Sequence, residues 1–63
     1  MAEGEGVTAV TFRDNAITIE YESGPPSSRP GTFAEARVMA DRFFGSDQTL
    51  VEVFGGHQWV RGA

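Results

Sequence analysis

Apolar and polar side chains alternate along residues 16–22 (Ala-Ile-Thr-Ile-Glu-Tyr-Glu), and residues 7–13 before them (Val-Thr-Ala-Val-Thr-Phe-Arg) are rich in β-branched types. This period of two, with many β-branched residues, predicts two strands. Asp14-Asn15 between them tolerates the positive φ of a type I′ turn, so the pair reads as a hairpin. A two-residue loop pairs 13 with 16, 12 with 17, 10 with 19 and 8 with 21. One face then gathers Phe12–Ile17, Val10–Ile19 and Thr8–Tyr21, and the other Thr11–Thr18, Ala9–Glu20 and Val7–Glu22. Apolar residues meet apolar residues on the first face, as a half-buried hairpin requires.

The period then changes. Over 33–44, Phe33, Ala36, Ala40, Phe43 and Phe44 fall on one stripe at 100° per residue, with Met39 at its edge and Val38 opposite. Thr32 and Glu35 have the spacing of a capping box, and Gly45 is a left-handed stop, so a helix is expected from 33 to about 44. Residues 49–54 and 57–61 read as two more strands around a Gly55-Gly56 turn, with less clean faces than the first hairpin. Pairing 54 with 57 places Val51, Val53 and Val60 with Gln58 on one face. Leu50, Glu52, Phe54, His57, Trp59 and Arg61 share the other. Both faces of this second hairpin are substantially apolar.

The expected fold is α+β: a four-stranded antiparallel sheet in chain order β-β-α-β-β, with one helix packed on one face. The strand after the helix is placed beside the first strand, giving order 2-1-3-4, because every neighbour is then antiparallel. Residues 1–6 read as a flexible acidic leader and 7–61 as a single small domain. Residues 23–31, with three prolines and two glycines, read as a loop.

Length and charge narrow the possible functions. With 63 residues there is room for one domain, and the absence of Cys removes disulfides and thiolate metal sites. A domain this small is marginal without a staple, so self-association is expected. No apolar run reaches the roughly 18 residues of a membrane span, and the acidic start does not resemble a signal peptide, so a cytoplasmic protein is expected. Five Arg, no Lys and nine acidic residues leave a net charge of −4, which opposes phosphate binding; the Arg-only, Gly- and Ala-rich usage suggests a GC-rich genome.

Catalytic chemistry finds little to build on. His57 is the one His and stands at a turn. Glu20 and Glu22 share a strand face but read as a solvated face that discourages edge pairing. No ligand spacing for a metal and no phosphate-binding glycine motif is present, so no catalytic residue, metal or cofactor is expected and the chain is not read as an enzyme. The face with Leu50, Phe54 and Trp59 at its centre and Glu52, His57 and Arg61 at its rim has the make-up of a protein interface. Alternatively, these large residues pack under the helix and the three valines face out. Either way one apolar hairpin face lacks a helix to cover it.

Gly31-Thr32-Phe33-Ala34-Glu35-Ala36, followed by Ala40, is similar to the helix start of small antitoxins of the HicB type. There a β-hairpin precedes the helix and the domain occupies a ribonuclease toxin. The proline-rich D-x-P-G segment usual before that helix, and a DNA-binding tail, have no counterpart here. With Val51-Glu52-Val53-Phe54-Gly55-Gly56 after it, the same helix also resembles short bacterial and phage β-β-α-β-β domains, which implies a fold and no activity.

Together these point to a non-catalytic protein-interaction module. It would form a homodimer or block a partner protein, as a phage-encoded or antitoxin-like regulator does. Its contact residues would be Trp59, Phe54, Leu50, Arg61, Glu52 and His57, anchored by Trp59 and Phe54 on the uncovered sheet face. An alternative is a single-stranded nucleic-acid binder that stacks bases on Trp59, Phe54 and His57. A more remote one is an accessory subunit of an enzyme. No small-molecule substrate is expected.

Overall fold

The computed structural model describes residues 6–62. Strands β1 (Val7–Arg13) and β2 (Ala16–Tyr21) are followed by a short β3 (Ser27–Pro30), then helix α1 (Phe33–Phe44) and strands β4 (Gln48–Val53) and β5 (Gly56–Arg61). The five strands make one antiparallel sheet in the order β3-β2-β1-β5-β4.

The first hairpin forms in the expected register. Asp14 and Asn15 take φ of 53° and 59°, and Arg13 pairs with Ala16, Phe12 with Ile17 and Val10 with Ile19. The register departs near its open end. Tyr21 lies opposite Val7 instead of Thr8, because a bulge between Val7 and Ala9 inserts one extra residue in β1. The bulge turns Val7 onto the inner face, where it is buried with Val10, Ile17 and Ile19. Thr8 is left outside, its hydroxyl donating to the Glu20 carbonyl at 3.3 Å.

The expected four-stranded sheet with order 2-1-3-4 is overturned by β3. Residues 27–30, read as part of a loop, add a fifth strand on the outer edge of β2, pairing Ile19 with Ser27 and Ile17 with Arg29. Hydroxyls support the pairing: Thr18 Oγ1 donates to Ser28 Oγ at 3.3 Å, and Tyr21 Oη meets Ser27 Oγ at 3.3 Å. A proline is tolerated here because the outer side of an edge strand needs no N–H. This extra reversal changes the direction of everything after it. β4 now runs the same way as β1, so the antiparallel neighbour of β1 is β5, and β4 becomes the far edge.

Helix α1 has the bounds and capping box read from the sequence: Thr32 Oγ1 accepts from the Glu35 amide, and Glu35 Oε1 accepts from the Thr32 amide, each at 3.2 Å. Gly45 ends the helix at φ 61°, as a glycine stop should, but its ψ of −131° is outside the left-handed helical basin. The C-terminal end is tied down instead by Gln48, whose Nε2 donates to Asp41 Oδ1 and to the Gly45 carbonyl, both at 2.6 Å. Ala36 and Ala40 let the helix lie close to the sheet, and with Phe44 they cover Val10, Ile17, Ile19 and Trp59. Burying one such large side chain contributes about 1.5–3 kcal/mol.

The second hairpin is displaced by one residue on each strand from its expected register. Val53 pairs with Gly56, and Phe54-Gly55 is the turn, with Gly55 at φ 80°. Gly56 stands in β5 opposite Arg13, where an added β-carbon would collide with the Phe12 carbonyl oxygen. One of the two glycines thus serves the turn and the other the close approach of β5 to β1. Because the slip totals two positions, each face keeps the residues assigned to it. The expected leader lies outside the described residues except for Gly6, whose carbonyl accepts from the Glu22 amide at 2.8 Å.

Candidate functional site

The sheet offers three surfaces: the helix side, the open side and the free edge along β4. On the helix side Trp59 is 4% exposed and belongs to the core. The Phe33 ring lies 5.1 Å from Trp59, 5.3 Å from His57 and 5.9 Å from Phe12, the last two nearly edge-on. The Arg61 guanidinium sits 5.0 Å from the centre of the Phe44 ring. Trp59, His57 and Arg61 are therefore organised around the helix, and the expected anchor on the uncovered sheet face is corrected. The larger residues pack under α1 because Phe33 and Phe44 provide aromatic partners for them there.

The open side is polar toward β2. Gln58 Nε2 donates to Thr11 Oγ1 at 3.0 Å and to Glu20 Oε2 at 3.1 Å, which ties β5, β1 and β2 together across the surface. This shallow concavity of about 430 Å³ is lined by Thr11, Thr18, Glu20, Ser28 and Gln58, with Arg13 and Asp14 at one end. Toward β4 the same side carries Val60, Val53 and Val51. A stacking platform for bases would need Trp59 and His57 exposed, and both lie beneath Phe33. Among the described residues no three His, Asp or Glu side chains gather as a metal set.

The third surface is the β4 edge. Leu50 is 52% exposed although it lies on the helix side opposite Trp59, because α1 does not reach fully over β4. On the other side Val51 is 39% exposed, and Phe54 at the turn is 94% exposed. Glu52 stands on the helix side opposite His57. Of the six residues picked from the sequence, Leu50, Glu52 and Phe54 line this edge and Trp59, His57 and Arg61 stand inward of it. Val51 joins the edge group although the sequence pattern placed it with the valine face. Its period-two position predicts the face but not the edge, which depends on strand order.

The two edges of the sheet differ. β3 is four residues long, ends in Pro30, carries Arg29 and follows Pro25-Pro26. These are features that discourage a further strand from pairing. β4 is six residues long, has no proline, carries one charge, Glu52, and exposes an apolar side chain on each side, Leu50 and Val51. Comparison with protein-family models, with curated proteins and with solved structures finds no match to this chain.

Proposed function

We propose that the protein is a non-catalytic interaction module whose contact element is the free β4 edge. One observation carries this reading: a long strand with unguarded backbone groups and apolar side chains on both faces sits at one edge, while the opposite edge is blocked by proline. An added strand would satisfy the outward N–H and C=O groups of β4 and cover Leu50 and Val51 in the same step. Phe54, almost fully exposed on a tight turn, stands at one end of the strip as an aromatic anchor.

Affinity capture from the source cell tests the reading, with the wild-type chain beside Leu50→Lys and Ser28→Lys. Both variants make the same charge change at exposed strand positions, one at each edge. Binding to itself or to another chain that is lost in Leu50→Lys and kept in Ser28→Lys supports β4 as the contact element. A chain that binds neither itself nor any protein through Leu50 is not such a module.

A further inference from the structure

We infer that β4 pairs with β4 of a second copy of this chain, antiparallel and centred on Leu50, to give a continuous ten-stranded sheet. The inference rests on the reading of β4 as the contact element and names its occupant.

The strand is close to self-complementary about Leu50. Read outward from that residue, Thr49 and Val51 are both β-branched, and Gln48 and Glu52 are both long and polar. A two-fold axis at Leu50 sets Leu50 against Leu50, Thr49 against Val51 and Gln48 against Glu52 of the second copy. The existing pairing of β4 with β5 extends these contacts into rows across four strands. One row is Trp59–Leu50–Leu50–Trp59, so the exposed half of Leu50 gains an apolar neighbour in line with the core. On the open side the row is Val60–Thr49–Val51–Gln58.

Charge selects the register. With the axis at Leu50, Glu52 of each copy faces uncharged Gln48, and the next residue along that row is Arg61. Arg61 and the second copy's Glu52 are then two strand spacings apart, about 10 Å between backbones, which is within reach of a long Arg side chain. The two Glu52 residues are four positions apart along the strands, about 13 Å. An axis at Glu52 would instead oppose two carboxylates directly, and one at Val51 would set each Glu52 against Leu50, wasting the apolar contact. The Leu50 register also brings Phe54 beside the second copy's Ser46, at the turn that follows α1.

The chain has no Cys, so an introduced one reports its own neighbours. The full-length chain is compared with its Leu50→Lys and Ser28→Lys variants by sedimentation velocity from low to high micromolar concentration. Leu50→Cys and Ser28→Cys are compared for disulfide formation under mild oxidant. The expected result is a concentration-dependent wild-type dimer whose association weakens by roughly tenfold or more in Leu50→Lys and is unchanged in Ser28→Lys. Leu50→Cys should link into covalent dimers, because directly opposed residues bring their β-carbons to about 4.5–5.5 Å and a small shift of the two edge strands closes that to the roughly 3.5–4.5 Å of a disulfide, while Ser28→Cys should stay monomeric. Circular dichroism verifies that each variant is folded; all the changes are at exposed positions.

A wild-type dimer indifferent to Leu50→Lys, or one that links through Ser28→Cys and not Leu50→Cys, overturns the proposed pairing. A wild-type monomer throughout the range overturns it as well. In that last case, capture of a different protein through Leu50 would leave the interaction reading standing, and no capture would end both.

Discussion

Thr32 and Asn15 show how much single side chains set in a domain of this size. The Thr32 hydroxyl satisfies the Glu35 amide at the start of α1, and the Glu35 carboxylate satisfies the Thr32 amide in return. Thr32→Ala should therefore cost about 1 kcal/mol and lower the melting temperature by several degrees, read by thermal denaturation followed by circular dichroism. Asn15 holds φ 59° in the first turn. Asn15→Gly should leave stability unchanged or raise it, since glycine reaches this region without strain, whereas Asn15→Val should lower it. Equal melting temperatures for the Gly and Val variants would contradict the turn geometry.

Among the elements, β5 is the most constrained, because it is clasped between β1 and β4 and presents Trp59 to the helix. Its first residue, Gly56, lies so close to the Phe12 carbonyl that even one methyl group has no space. Gly56→Ala should push β5 away from β1 and destabilise the domain by about 1–3 kcal/mol, as overpacking against fixed backbone does. Gly55→Ala, in the adjoining turn at φ 80°, should cost less, about 1 kcal/mol, because beside the backbone strain the added carbon meets only the Arg13 side chain, 3.2 Å from its Cδ, which can move aside. Urea titration of the two variants would rank them, and a reversed rank would place the turn on Gly55-Gly56 after all. β3 contrasts with β5: all four of its residues are exposed, and it adds to the sheet mainly by backbone pairing and hydroxyl contacts.

For the molecule as a whole, stability is small and one residue carries a large share of it. A domain of this length is expected to be stable by about 3–9 kcal/mol in total. Trp59→Ala removes the largest side chain of the core, at a cost of about 3–5 kcal/mol. It should abolish or nearly abolish the cooperative thermal transition, so that variant reports on folding and not on partner contact. Net charge acts at the same scale. Each copy carries −4, so two copies repel at low ionic strength. Raising salt from low to physiological should strengthen self-association, measured by sedimentation, which is the opposite of the salt dependence of nucleic-acid binding.

Local chemistry sufficed for the first hairpin, the helix with its cap and the division of the second hairpin into two faces. Each rests on residues within a few positions of one another: Asp14-Asn15 for a turn, Thr32 with Glu35 for a cap, Phe33 to Phe44 for a stripe. The bulge at Thr8 leaves one trace in the sequence, the adjacent apolar pair Ala9-Val10 that breaks the period of two, and the burial of Val7 with Val10 shows which way the strand slips. β3 was not legible, since Ser27-Ser28-Arg29-Pro30 has no apolar period and becomes a strand only where β2 offers a free edge. From that one strand follow the direction of β4, the neighbour of β1 and the identity of the open edge. For the candidate site, the sequence therefore identified Leu50, Glu52 and Phe54 by type, along with Trp59, His57 and Arg61. Which of them meet the helix and which line an edge depended on strand order and on how far α1 reaches. Those are long-range packing outcomes that no local spacing encodes.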